Sequence, residues 1–373
     1  MAIVFYISGH GFGHASRDVE IINRLATAQQ APIVLRTSVS RDLLQRTVRV
    51  PYDLREGICD TGIVQSNSIT HDDPATVATA LDFYASFDDR VAAEVAALAD
   101  LDVRLVVGDI PPLAFATAAA LGVPSIAVGN FTWDWIYETH PGFLPDGQAT
   151  LELIRDCYRR ADLALELPFP GGFEIFERVG RLPLVARHAR HSRAVTRRHF
   201  GLRPDARVVL LSFGGYGLPM LDLAGLDCRA DWTIVTTDRV TAAAQALPHV
   251  RVISEREFLN GRFRYEDLVA AADVVLTKPG YGIIAECIAA GTAVVYTSRG
   301  EFREYDVLVA GMAGVLRSQF ISQAELFAGQ WWDALAAVMA QPKPTGSMPT
   351  NGAEVAAGVI DAAAGAGVSP TAD

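Results

Sequence analysis

Lysine is nearly absent from this 373-residue chain: its 32 basic side chains include only Lys278 and Lys343, and the other 30 are arginine. Exposed Lys and Arg serve solubility about equally, so the bias is compositional, but a Lys kept at a specific position deserves to be followed. Cysteine is scarce as well. Cys59, Cys157, Cys228 and Cys287 lie far apart with no CxxC pair, which argues against a zinc site and a small disulfide framework and suits a reducing cytoplasm. The chain has no long basic face and a formal charge of −11, so nonspecific nucleic-acid binding is not expected. It opens on MAIVFYISGHGFGH, which lacks a basic n-region and a long apolar h-region and reads as a first strand rather than a secretory signal. The uncharged run from Ile110 to Trp133 is broken by Pro111, Pro112 and Gly122-Val123-Pro124, giving a short buried helix and a short strand in place of a membrane span.

What is present is enough apolar sequence, 50% of all residues, to core about two domains. Short β-branched runs alternate with alanine-rich helical segments. Strands are expected at Ala2 to Ile7, Ile33 to Thr37, Arg104 to Gly108, Ser125 to Gly129 and Asp162 to Leu167. A second set follows at Arg207 to Phe213, Trp232 to Thr237, Val250 to Ser254, Asp273 to Thr277 and Ala293 to Thr297. Helices fall between them, including Ser16 to Ala26, Pro74 to Ala99, Leu113 to Leu121, Tyr265 to Ala272 and Gly282 to Ala290. This pattern predicts an α/β protein of two Rossmann-like, doubly wound parallel-sheet domains, at residues 1–185 and 186–345. A C-terminal helix (346–364) and a disordered tail (365–373) complete the expected organisation. Between Arg181 and Arg203 stand seven Arg and three His and no acid. That segment is either a solvated linker and helix or a cationic wall facing an anionic ligand.

After the first strand comes Ser8-Gly9-His10-Gly11-Phe12-Gly13-His14-Ala15-Ser16-Arg17, a glycine turn entering a helix, where backbone N–H groups can approach a ligand. It departs from the dinucleotide fingerprint: His14 stands where the third glycine is required, and the second strand ends in Arg36-Thr37 with no acid for a ribose. The imidazoles of His10 and His14 are candidate bases, with one of them open to a merely structural role in the turn. No nearby acid or Cys completes a metal ligand set. Asp109, ending the third strand, either orients an imidazole or caps the helix after Pro111-Pro112. In the second half, Ser212-Phe213-Gly214-Gly215-Tyr216-Gly217 and Thr277-Lys278-Pro279-Gly280-Tyr281-Gly282 each follow a strand, the second leading into a helix that carries Glu286. Two such turns on one sheet aim donors and a helix dipole at one point, the physics of a diphosphate site. Neither has the GK[ST] of a Walker loop.

These motifs, with TKPGYGIIAE followed by AAGTAVVYTSRGEFREYDVL, resemble GT-B glycosyltransferases. The segments SGHGFGHASR, GDIPPLAFATAAALGVPSIAVGNFTWDWIYE, LPLVARHARHSRAVTRRHFG, LSFGG, TKPGYGIIAEC and NGAEVAA more narrowly resemble the glycosyltransferase-like N-terminal half of plant L-arabinokinases and its stand-alone bacterial relatives. The sugar-kinase half has no counterpart here, so arabinose phosphorylation is not implied. The resemblance implies transfer of a hexosyl or pentosyl group from a nucleotide-sugar, UDP-linked, to a hydroxyl of a small molecule or glycan, and the lack of an Asp-x-Asp signature among these motifs predicts that no metal or other cofactor takes part. It implies that Gly214, Gly215, Lys278, Gly280, Tyr281, Gly282, Glu286 and Glu304 bind the donor, Glu286 through the ribose hydroxyls. His14, with His10 as understudy, would be the base and Asp109 its orienting acid. Gly11, Gly13, Arg17, Thr132, Trp133 and Asp134 would line the acceptor side, where aromatic faces suit sugar rings. A nucleotide-sugar epimerase or hydrolase, and a non-catalytic binding module, remain alternatives on the same fold. The sequence carries no indication of oligomeric state.

Overall fold

A computed structural model describes residues 2–26, 31–144, 147–214, 218, 221–223, 229–237, 241–258, 262–300 and 302–365. The chain divides into two compact units. The first comprises 1–64, 72–185 and 349–373; the second comprises 65–71 and 186–348.

In the first unit, β1 (Ala2–Ile7), β2 (Ile33–Thr37) and β3 (Tyr52–Glu56) are followed by the hairpin strands β4 (Gln65–Asn67) and β5 (Thr70–His71), which group with the second unit. Then come β6 (Val103–Asp109), β7 (Ser125–Phe131), β8 (Leu163–Gly171) and β9 (Val179–Arg181). The sheet order is β3-β2-β1-β6-β7-β8-β9, and all its pairings are parallel. β1 and β7 are buried along their whole length, as continuous apolar runs must be when helices cover both faces of a sheet. The chain order reverses between β1 and β6, and their register sets Ile7 opposite Asp109. Ligands of doubly wound sheets gather at the carboxyl ends beside that reversal, so this pairing fixes where the first site lies.

The second unit repeats the plan. β10 (Arg207–Ser212), β11 (Trp232–Thr236), β12 (Val250–Val252), β13 (Val274–Thr277), β14 (Ala293–Tyr296) and β15 (Ser318–Phe320) form a parallel sheet of order β12-β11-β10-β13-β14-β15. Its reversal lies between β10 and β13, with Ser212 opposite Thr277. Val209, Leu211, Ile234, Leu276 and Val295 build its core with Trp331 and Trp332.

Several features differ from the sequence expectation, among them the first helix, which runs over Phe12–Ile22 rather than Ser16 to Ala26. The long helix over Pro74 to Ala99 is two helices, Asp73–Ala85 and Phe87–Ala97, because Ser86 leaves helical geometry and Asp88 and Asp89 start a new first turn. The C-terminal helix runs over Gly352–Gly365 and packs in the first unit, burying Ala353, Ala356, Ala357 and Ile360; the tail expected beyond it lies outside the described residues, apart from Gly365.

Candidate functional site

The Gly/His turn enters the helix Phe12–Ile22, whose N-cap Gly11 has φ 75°, a left-handed geometry that a side chain would strain. His14 therefore sits in the helix's first turn beside the end of β6. Its Nδ1 is 2.9 Å from Asp109 Oδ1 and equally 2.9 Å from Arg17 Nη2. Arg17, one helical turn on, grips Asp109 with both arms of its fork: Nε donates to Oδ2 at 2.6 Å and Nη2 to Oδ1, while Nη1 donates to Asn130 Oδ1 at 2.6 Å. Burial alone would push the Asp109 carboxyl up, but the charges and hydrogen bonds of Arg17 and His14 outweigh it and hold it well below the carboxylate range. The following Ile110 adopts φ 56°, a costly conformation for a β-branched residue, and donates no side-chain chemistry; strain of this kind concentrates at functional sites. Asp109 does not cap the helix Pro112–Leu121, whose N-cap Pro111 has no side-chain hydrogen bond.

His10 belongs to a second pair. Its Nε2 lies 3.4 Å from the Asp60 carbonyl oxygen and 3.5 Å from Asp60 Oδ1. Asp60 also accepts from Trp133 Nε1 at 2.8 Å and Ser8 Oγ at 3.1 Å. A Cβ at Gly62 would stand 2.2 Å from His10 Cγ, so glycine is what lets the imidazole lie against this loop. His10 is about one-third exposed and His14 one-tenth, by 34% against 10% of side-chain surface. Nothing in the spacing pointed to Asp60.

Other residues assigned to the acceptor side are placed differently from one another. Gly11 and Gly13 are exposed. Arg17, Thr132, Trp133 and Asp134 are buried, so Trp133 offers no open face to a sugar ring: its indole serves Asp60 and stacks on Tyr137. Asp134 accepts from Arg155 Nε at 3.2 Å, and burial raises its carboxyl. Arg36, which ends the second strand where a ribose-binding acid was lacking, donates to Glu94 instead, with Nε to Oε2 at 2.7 Å.

In the second unit, Gly214 follows β10 with φ 76°; Gly215 lies outside the described residues. The helix Tyr281–Ala290 begins at Gly280 with no side-chain cap and no acid in its first turn, and a Cβ on Gly280 would meet nothing within 4 Å. A helix entrance of this kind presents backbone N–H groups. Tyr281 is buried and Gly282 half-buried. Lys278 stands just before this entrance, and burial, with Arg299 nearby, lowers its ammonium to about 7 while Glu304 opposes the shift. Glu286 is buried and accepts from Arg187 Nε at 2.6 Å. The basic segment that contains Arg187 is largely exposed and includes the helix Arg193–His199, as the solvated-linker-and-helix reading expected, but several of its cations are paired. Arg187 approaches Glu266 as well as Glu286, Arg193 and Arg197 meet Asp273, and His191 and His199 stack on Phe263. Among the described residues, no group of three or more His, Cys, Asp or Glu is placed to hold a metal, and no helix is long and apolar enough to cross a membrane.

Known structures share the whole architecture. The calicheamicin glycosyltransferase CalG4 superposes with a TM-score of 0.65 at 15% identity, covering 99% of both chains. A Polygonum tinctorium UDP-glucosyltransferase gives 0.60 at 13% (98% of this chain, 99% of that one), and MurG of Acinetobacter baumannii gives 0.54 at 16% (96% and 99%). The fold is GT-B. In sequence, the chain is 28% identical over 372 residues to an L-arabinokinase of Arabidopsis thaliana, a match covering 96% of this chain and 34% of the relative. The chain thus spans about a third of that protein's length. No protein-family model matches it. In each unit, turns carrying candidate residues follow the strands that flank its reversal point, His10 and His14 after β1, Asp109 at the end of β6, Gly214 after β10 and Lys278 after β13.

Proposed function

We propose that this GT-B chain transfers a hexosyl or pentosyl group from a nucleoside diphosphate sugar, UDP-linked, to the hydroxyl of a small molecule or glycan, without a metal ion or other cofactor. The observation that carries the reading is the buried His14–Asp109 contact at the reversal point of the first sheet. We assign His14 the tautomer whose Nδ1–H donates to Asp109, since a carboxylate is the strongest acceptor within reach and Arg17 Nη2 already donates to the same oxygen. That leaves Nε2 with a lone pair to take the acceptor's proton as its oxygen attacks the anomeric carbon. Asp109 keeps the ring oriented and offsets the charge of the imidazolium that forms. Arg17 keeps Asp109 ionised and immobile. On the donor half, the uncapped helix entrance and Lys278 balance the charge that develops on the leaving diphosphate, and Glu286 meets the ribose once Arg187 yields it.

The test is turnover of a panel of UDP-, GDP- and TDP-sugars with mixed acceptors, followed by mass spectrometry of the products. One donor class should be consumed with a new glycoside formed, and His14→Ala should lower kcat by about 10²–10⁴-fold while donor affinity holds. Donor binding without turnover in any mixture would replace the transferase with a binding module. Donor epimerised or hydrolysed without an acceptor would replace it with the corresponding enzyme.

A further inference from the structure

We propose that Tyr158 is a positioning residue of the first site: its hydroxyl, held between the Ile110 carbonyl and the Trp133 backbone N–H, keeps a strained turn in the shape that aims Asp109 at His14. The role presumes the transferase reading, in which His14 is the base.

β6 ends at Asp109, and the chain then turns out of the sheet through Ile110 and Pro111 into the helix Pro112–Leu121. Ile110 makes that turn with φ 56°. Left-handed backbone is costly for a β-branched side chain, and Pro111 narrows still further the conformations open to the residue before it. Such strain persists only where the surroundings fix it. Two contacts do so. Tyr158 Oη donates to the Ile110 carbonyl at 2.8 Å, and Gly129 on β7 leaves room for the side chain, since a Cβ there would stand 2.6 Å from Ile110 Cγ2. Relaxation at Ile110 has to be absorbed by its neighbours. One of them is Asp109, whose oxygens are held to His14 and Arg17.

The same hydroxyl accepts from the Trp133 N–H at 3.1 Å. Trp133 opens the helix Trp133–Tyr137, whose N-cap Thr132 makes no side-chain hydrogen bond, so Tyr158 meets a first-turn donor that the cap leaves unmet. One phenol thus clamps the chain after β6 to the chain after β7. Both flank His14: Asp109 Oδ1 lies 2.9 Å from its Nδ1, and the Trp133 ring lies 6.2 Å from its imidazole, centre to centre. Tyr158 closes the helix Gln148–Tyr158, fully buried, with its ring against Phe115 and Phe176. Burial pushes the phenol well above its usual range, so the proton it donates stays in place. Its effect on His14 passes through the backbone on either side.

Tyr158→Phe removes the hydroxyl and keeps the ring. Long-range 15N correlation spectra of histidine-labelled protein, with His14 assigned through His14→Gln, read the imidazole at neutral pH without any substrate. Wild type should show His14 as one tautomer with its proton on Nδ1, and Tyr158→Phe should show both tautomers. On the donor and acceptor that turn over, kcat should fall about tenfold to a hundredfold while donor KM stays within about twofold, the loss expected when a reacting group is set off its geometry. Glycine takes φ 56° without strain, so it supplies the control. In an Ile110→Gly, Gly129→Ala background, where the new methyl refills the space of Ile110 Cγ2, Tyr158→Phe should leave one tautomer and cost kcat no more than about twofold. Its urea midpoint should fall in either background, because the Ile110 carbonyl, or its glycine counterpart, and the Trp133 N–H lose their partner. A lowered midpoint with the wild-type tautomer and kcat would make Tyr158 a packing residue and overturn the proposal. An equal kcat loss in the glycine background would overturn it as well. Tautomer mixing in Tyr158→Phe, in a chain that transfers no sugar, would sink the transferase reading and leave the positioning of His14 standing.

Discussion

Asp18 sits beside Arg17 on the same helix, yet it is kept out of that residue's ion pair: neither of its buried oxygens has a hydrogen-bond partner among the described residues. Burial first, and the neighbouring Asp109 charge second, raise its carboxyl well above the usual range. A carboxyl raised in the folded state adds stability in full below its unfolded value, about 3.9, and loses it as the pH climbs toward the folded value. Asp18→Asn removes that penalty while keeping shape. Its melting temperature should exceed wild type by a few degrees at pH 8 and converge with it near pH 4, in scanning calorimetry across that range; a pH-independent difference would mean that Asp18 is not neutral in the fold. At this scale the sequence showed His10, His14 and Asp109, because glycine-flanked imidazoles and a strand-terminal acid are visible as residue types. Asp60, Tyr158 and the strained Ile110 were hidden. Loop conformation brings Asp60 under His10, and no local pattern encodes it.

One acid, Asp267, fixes the backbone of the segment after the unit boundary. Asp267 accepts from the backbone N–H groups of Arg190 at 2.7 Å and His191 at 2.9 Å through Oδ1, and from that of Arg264 at 2.9 Å through Oδ2. Asp267→Ala strands three backbone donors around a fully buried position, at about 1–3 kcal/mol each before any water enters. Asp267→Asn keeps one acceptor oxygen and should lose clearly less. Urea unfolding should rank wild type above Asn above Ala, with Ala at least about 2 kcal/mol down; equal loss in both variants would assign the effect to charge rather than to donor satisfaction. Elements were legible in the sequence where both faces are buried: β1 and β2 match their expected bounds residue for residue, since a continuous apolar run has no other home. Of the four edge strands only Val250–Val252 was, within the expected Val250 to Ser254. Tyr52–Glu56, Val179–Arg181 and Ser318–Phe320 are part-exposed and carry polar residues, so only their pairing reveals them.

Chain order and unit membership part company in two places: the hairpin Gln65–His71 groups with the second unit, and residues 349–373 return to the first. Repeating βαβ patterns announce two sheets, but they cannot report such exchanges, because each exchanged piece is short and buries its apolar side through contacts distant in sequence. The return is secured by backbone bonds, Leu184 N–H to the Pro349 carbonyl at 3.0 Å and Gly352 N–H to the Leu184 carbonyl at 2.9 Å, and by Arg24 with Glu354 at 2.7 Å. Three buried thiols report on the units separately, Cys59 and Cys157 in the first and Cys287 in the second. Burial raises all three, Cys157 to about 12, so none should react until its surroundings open. In a Cys228→Ser background, removing residues 349–373 should therefore speed labelling of Cys59 and Cys157 by about tenfold or more while Cys287 keeps its rate, because local opening costs follow the contacts that were lost. Acceleration confined to Cys287 would place the C-terminal helix in the stability of the wrong unit, and uniform acceleration would mean that the two units unfold as one.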